Sequence, residues 1–154
     1  MIASHSLLRT SLIVFVTVSL ATADSSAQNT YSDQVYMQLR SLYLQVKPEA
    51  PGLRCEKTVI SHVRDDDSDT WTFYFEQGRR YFVVGACDSD CRDLDLQVID
   101  ASSGTTLARD LLLDDTPMVN FTPERSGRYK VRARMANCQS SRCYLGFSIL
   151  SHRR

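Results

Sequence analysis

Histidine is scarce in this chain, which limits the catalytic chemistry available to it. The 154 residues include three histidines, and removal of an N-terminal leader would leave only His62 and His152. Neither lies in a recognisable nucleophile, zinc or phosphate-binding motif. The sequence therefore predicts a protein that is not an enzyme, and a small secreted hydrolase that uses His62 is the less favoured alternative.

Net charge is also absent, because 18 lysines and arginines balance 18 aspartates and glutamates. A domain that binds nucleic acid normally carries an excess of basic residues. The balance therefore argues against a nucleic-acid partner and leaves a protein or a polysaccharide as the expected one.

No apolar run is long enough to cross a membrane. The longest run, residues 12–21, has about ten residues where a spanning helix needs about 20. It follows a single arginine, Arg9, and precedes small residues that suit signal peptidase after Ala23 or Ala27. We therefore predict that residues 1–27 form a signal peptide, that the mature chain has no membrane span, and that the protein is secreted or periplasmic.

Cysteine is present in a pattern that fits export. Cys87 with Cys91, and Cys138 with Cys143, would each close a short loop as a disulfide in an oxidising compartment. A tetrathiolate zinc site is less favoured, because these spacings differ from the usual C-x-x-C. Cys55 is left over, and we expect a free or an intermolecular thiol there.

An amphipathic helix is predicted ahead of the first cysteine. Apolar residues recur at helical spacing at Val35, Leu39, Leu42 and Val46. Ser32 can cap the start and Pro48 can stop the end, so the helix should span about residues 32–46 within a helix and linker segment, residues 28–54. Apolar side chains on its other faces suggest packing on the domain or on a partner.

Beyond this segment the hydrophobic period changes to two. Alternating runs bounded by Gly, Pro or Asp predict strands near residues 71–76, 81–87, 94–99, 105–112, 118–122, 128–135 and 144–150. Short strands at this spacing predict an all-β fold. We expect an antiparallel β-sandwich of about seven to eight strands over residues 55–154, preceded by the one helix.

Four segments within this region resemble a known family. They are DSDTWTF at 67–73, GRRY at 78–81, DLDLQVID at 93–100 with Gly104, and Pro123 with SGRYKV at 126–131. In this order they resemble the bacterial pre-peptidase C-terminal domain. The resemblance covers residues 67–150 and implies a small β-sandwich, usually appended to exported enzymes, that acts in secretion, solubility or substrate adhesion. This chain differs from that pattern in its cysteine pairs, and we expect no enzyme domain beside the sandwich.

Aspartates are concentrated in two loops. Carboxylate oxygens are the ligands that Ca²⁺ prefers, so either loop could hold a calcium ion. The alternative, which we favour, is solvated turn carboxylates that include some facing basic side chains across the sheet. The candidate ligands are Asp65, Asp67 and Asp69 in one loop and Asp88, Asp90 and Asp93 in the other.

A basic stripe is predicted on one strand. Arg128, Lys130, Arg132 and Arg134 alternate with apolar residues and should form one positive face. Such a face suits an acidic polysaccharide or a protein partner, whereas pairing with neighbouring aspartates would make it structural. Gly127 begins this strand, and we expect a positive backbone angle there.

Taken together, these patterns predict a secreted, non-catalytic β-sandwich module with a binding, adhesion or structural role. The alternative within the same class is a calcium-stabilised module that binds polysaccharide or protein. No cofactor other than Ca²⁺ is indicated by the sequence.

Overall fold

The computed structural model describes the backbone of residues 23–152 and the side chains of residues 30–152. The predicted signal peptide, residues 1–27, lies outside the described residues except at its last five positions. Within residues 23–152, no helix is long and apolar enough to span a membrane. The elements are α1 Ala23–Val46, β1 Leu53–Val63, β2 Ser68–Phe75, β3 Tyr81–Cys87, β4 Cys91–Asp100, β5 Thr106–Asp110, β6 Met118–Phe121, β7 Gly127–Cys138 and β8 Cys143–His152.

The strands form two four-stranded sheets, with the orders β1-β8-β3-β6 and β2-β7-β4-β5. Every strand pair is antiparallel. The two sheets pack face to face over a core that includes Phe75, Leu96, Val131 and Phe147. The predicted antiparallel β-sandwich with one preceding helix is therefore confirmed.

Aromatic residues of β2 point into this core. Trp71 lies edge-on to Phe147 with ring centroids 5.2 Å apart, and Phe73 lies edge-on to the same ring at 5.9 Å. Edge-to-face packing is a favourable arrangement for aromatic rings. The only tryptophan thus packs against the core and is not an exposed platform.

The helix α1 lies on the outer face of the β1-β8-β3-β6 sheet. Val35 and Leu39 are buried there against residues such as Val84 and Leu150, which makes a second apolar cluster. Gly146 on β8 permits this contact, since a Cβ built there would lie 2.9 Å from Val35 Cγ1 and 3.1 Å from Leu39 Cδ1.

The start of α1 and the first strand of the sheet differ from what the sequence predicted. The helix begins at Ala23 rather than near residue 32, because no proline or glycine interrupts residues 23–47. A strand, β1, was not predicted, and it pairs with β8 from Leu53 to Val63. The predicted linker boundary at residue 55 falls inside β1.

The prediction of a positive φ angle at Gly127 is wrong. Among the described glycines, positive φ values occur at Gly52, Gly78 and Gly104. Gly127 instead begins β7 and pairs with Phe75 on β2, so it has an extended backbone.

Candidate functional site

The predicted basic stripe lies on the outer surface of the β2-β7-β4-β5 sheet. Tyr129, Val131, Ala133 and Met135 face the core, so the alternating residues between them face away from it. Arg128 and Lys130 are exposed, while Arg132 and Arg134 are half-buried.

Pairing across the sheet adds another cation to this surface. Arg132 on β7 pairs with Gln97 on β4, and Gln97 pairs with Arg109 on β5. Directly paired residues point to the same side of a sheet, so Arg109 joins the outer surface. We call Arg109, Arg128, Lys130 and Arg132 the basic face.

Arg134 does not belong to the basic face, although the sequence pattern grouped it there. Its guanidinium donates to Asp95 at 2.9 Å and also pairs with Asp66. Hydrogen bonds to these two carboxylates raise the pKa of Arg134 further above its ordinary value. Its charge is therefore already neutralised within the protein.

The remaining cations are not neutralised in this way. Within residues 30–152, no ion pair joins Arg109, Arg128, Lys130 or Arg132 to an acidic side chain. Arg132 is held by a hydrogen bond from its Nε to the Ser68 hydroxyl, 3.1 Å long. The expectation that aspartates pair with this stripe thus holds for Arg134 alone among the four predicted residues.

The size of the basic face follows from strand geometry. Arg128 and Arg132 are four residue steps apart on β7, which is about 14 Å at 3.4 Å per residue. Two strand spacings separate β7 from β5, which is about 10 Å. Tyr74, exposed on β2, lies beside Arg128 at one end. The arrangement can attract an extended anion rather than enclose a small one.

The two predicted disulfides are present. Cys87 is bonded to Cys91 and Cys138 to Cys143, with a Cα–Cα distance of 5.9 Å in each. Cys91 pairs directly with Cys138 across β4 and β7, so both bridges lie at the same end of the sandwich. Cys55 is a free, exposed thiol on β1.

The aspartates of the first loop accept hydrogen bonds from nearby groups. Asp65 accepts the Cys138 amide at 2.7 Å, and Asp67 accepts the amide of the next residue at 2.7 Å. Asp69, which lies on β2 and not in the loop as predicted, accepts the Ser61 hydroxyl at 3.1 Å. These carboxylates therefore hold the turn and connect it to β7 and β1.

The second loop is organised around Asp88. Its carboxylate accepts the Tyr144 amide at 2.6 Å and the Asp90 amide at 3.2 Å. Across residues 30–152, no group of three or more His, Cys, Asp or Glu side chains is placed to hold a metal ion. A calcium site formed by the six candidate aspartates stays a prediction.

Asp93 has a different environment from the other five. It lies on β4 and not in the loop as predicted. It is buried, and among the described residues its Oδ1 has no hydrogen-bond partner. Burial raises the pKa of Asp93, and the charges of Asp95 and Asp114 act in the same direction while Arg134 opposes them. Nothing in the sequence pattern distinguished this carboxylate from its neighbours.

His62 lies outside any catalytic arrangement in the described part of the chain. Its exposed ring packs edge-on against Tyr144, with centroids 5.3 Å apart. The adjacent Ser61 donates its hydroxyl to Asp69. Serine and imidazole are therefore not joined here as nucleophile and base, the arrangement that acyl transfer by a triad needs.

Comparison with known proteins gives neither a family nor a curated relative, since no family model and no curated protein matches the chain. Among solved structures, it is similar to PliG of Aeromonas hydrophila, a periplasmic inhibitor of g-type lysozyme. The identity is 10% and the TM-score 0.47, over 68% of this chain and 90% of that one. It is also similar to a protein described as "CBM4 structure and function", with 11% identity and a TM-score of 0.41 over 66% and 79% of the two chains. Neither likeness says what this chain binds.

Proposed function

We propose that the protein is a secreted or periplasmic, non-catalytic binding module, and that its basic face binds an anionic polysaccharide. The observation that carries the proposal is the group of four cations on one outer sheet surface without acidic partners in residues 30–152. An anion that approaches this surface gains attraction without first breaking an internal ion pair.

The shape of the surface favours a polymer over a small molecule. Small ligands usually bind in concave, largely apolar pockets. The basic face instead extends about 14 Å along β7 and about 10 Å across the sheet, which matches several repeats of a chain rather than one compact group. Thr70 and Thr72 on β2 add hydroxyls beside Arg132 and Lys130 that can bond sugar oxygens.

The composition of the surface favours a polysaccharide over a protein partner. The centres of protein interfaces are depleted of charged residues and enriched in large apolar and aromatic ones. Here charges occupy the centre, and the exposed aromatic side chain of Tyr74 lies at one end, beside Arg128. A protein partner on the basic face is therefore the second candidate.

We also propose that the chain is related to the pre-peptidase C-terminal domain, which it resembles in sequence. The segments that carry the resemblance lie on β2, in the β2–β3 turn, on β4 and at the start of β7. The strands β2, β4 and β7 all belong to the sheet that carries the basic face. A role in adhesion to substrate, which the resemblance implies, is a role that an anion-binding sheet surface can perform.

The experiment is affinity electrophoresis in gels that contain polygalacturonate, with dextran gels as the neutral control and EDTA in both. We expect retardation by polygalacturonate alone, reversed by salt because the screening length falls from about 10 Å at 0.1 M to about 3 Å at 1 M. Equal migration in the two gels, or equal retardation by dextran, would contradict the proposal.

A further inference from the structure

An exposed apolar loop lies between β5 and β6. Leu111, Leu112 and Leu113 are consecutive, and Leu112 and Leu113 are 67% and 90% exposed. Met118, exposed at the start of β6, lies beside them because its amide binds Asp110. Contiguous exposed apolar groups on a soluble protein mark an interaction surface. We call residues 111–113 the leucine loop.

The leucine loop is fixed to the sandwich by hydrogen bonds. The Asp110 carboxylate accepts the amides of Leu112 at 3.2 Å and Met118 at 2.9 Å. The Asp114 carbonyl accepts the Leu94 amide of β4 at 2.9 Å, and the Pro117 carbonyl accepts the Gly85 amide of β3 at 2.8 Å. The loop is therefore anchored to both sheets, which lowers the entropy that a docking partner must overcome.

Acidic side chains surround the leucines. Asp110, Asp114 and Asp115 flank them, and none of the three is in an ion pair within residues 30–152. A surface that covers the leucine loop should therefore combine an apolar groove with positive charge.

The outer side of α1 has this combination. Met37 and Leu44 are 54% and 50% exposed, on the side of the helix opposite to the buried Val35 and Leu39. With Arg40, Ser41 and Gln45 they form one open face of the helix, which we call the α1 groove. Arg40 is exposed, and in the described part of the chain no ion pair neutralises it.

We propose that the leucine loop of one copy docks in the α1 groove of a second copy. Leu113 would lie between Met37 and Leu44, with Asp114 and Asp115 near Arg40. One contact would then cover the exposed leucines of the loop together with Met37 and Leu44, and Asp114 and Asp115 are opposite in charge to Arg40. The occupant is a second copy because this chain itself carries both halves of the match.

The contact joins two different surfaces, so it is head-to-tail. Such an interface either closes into a ring or continues as a filament. The patches are small compared with those of permanent dimers, so we expect association that depends on concentration in the micromolar range or above. The inference does not depend on the proposed polysaccharide ligand, since the basic face takes no part in it.

The test is sedimentation velocity on the oxidised mature chain from about 10 μM to about 1 mM. A Cys55→Ser background removes thiol cross-linking. We expect wild type to form dimers and larger species, and Leu113→Glu and Met37→Glu each to remain monomeric. Gln139→Glu, which adds the same charge at an exposed position, should associate like wild type. Melting curves check that each variant is folded.

Mixing the two variants gives the sharper result. The Met37→Glu chain keeps its loop and the Leu113→Glu chain keeps its groove, so a mixture should form a 1:1 complex and nothing larger. A wild-type chain that is monomeric at the highest concentration would overturn the proposal. So would association that persists in Leu113→Glu, or a mixture that contains monomers alone.

Discussion

The Arg134 guanidinium on β7 donates a hydrogen bond of 2.9 Å to the Asp95 carboxylate on β4. Arg134 is therefore the one cation of the predicted stripe that has an acidic partner within residues 30–152. Arg128, Lys130 and Arg132 continue the same row without an acidic partner in residues 30–152. The difference divides one sequence pattern into a structural arginine and a surface available to a ligand.

The contact between α1 and β8 should depend on glycine at position 146. In Gly146→Ala the added Cβ would lie 2.7 Å from the Val59 carbonyl oxygen and 2.9 Å from Val35 Cγ1, so backbone or helix must shift. Overpacking of this kind costs about 1–3 kcal/mol. We predict a loss of that size in the free energy of unfolding, measured by urea denaturation.

Gly127→Ala is the matched control for this substitution. A Cβ at Gly127 meets no atom within 4 Å, and its backbone angle is not positive. We expect its unfolding free energy to stay within about 0.5 kcal/mol of wild type. Equal losses at the two glycines would mean that the close helix contact does not limit residue 146.

The ionisation of buried Asp93 should lower the free energy of unfolding as pH rises through the mildly acidic range. Burial raises its folded pKa above the ordinary aspartate value of about 3.9, so the folded state favours the neutral carboxyl. Its contribution is fully present below the unfolded pKa and is lost as pH rises through the folded pKa. Asp93→Asn removes this ionisation while keeping the shape.

We predict that the melting temperature of Asp93→Asn exceeds that of wild type at neutral pH. The difference should shrink as pH is lowered towards about 3.9, where wild type also becomes neutral. Melting curves from pH 3 to 8 measure it, and Asp115→Asn is the exposed control. A difference that is constant over the whole range would show that Asp93 does not titrate as described.

Calcium should have little effect on stability if the six predicted aspartates serve the turns. Asp65, Asp69 and Asp88 already accept hydrogen bonds from protein groups that connect separate strands. We predict equal melting temperatures in calcium and in excess EDTA. An ion at a hundred times its dissociation constant would add about 2.7 kcal/mol, so a rise of several degrees would favour the calcium-stabilised alternative instead.

The sequence predicts most of the fold because the central strands have clean patterns. In β7, charged and apolar residues alternate without interruption from Arg128 to Met135. The strand β1 has no such pattern, because it lies at a sheet edge, exposes Arg54, Glu56 and Lys57, and contains an irregularity between Cys55 and Lys57. An edge strand of this kind cannot be predicted from the alternation of apolar and polar residues.

The candidate sites are less predictable, because they depend on pairing between distant residues. Arg109 joins the basic face only through the register of β5 with β4. Leu111 and Leu112 were predicted within a strand, but β5 ends at Asp110, whose carboxylate binds the amides that follow and fixes a loop. Local hydrophobicity carries no information about either relationship.

Binding by charge-removal variants tests the basic face most directly. Arg128→Ser/Lys130→Ser removes two exposed cations of the face, and Arg54→Ser/Arg64→Ser removes two exposed cations elsewhere. We predict that the first pair raises the dissociation constant for polygalacturonate about tenfold, since two surface ion pairs contribute about 1–2 kcal/mol together, while the second pair leaves it nearly unchanged. Equal weakening by both pairs would mean that net charge alone binds the polymer, and would contradict a site on this sheet.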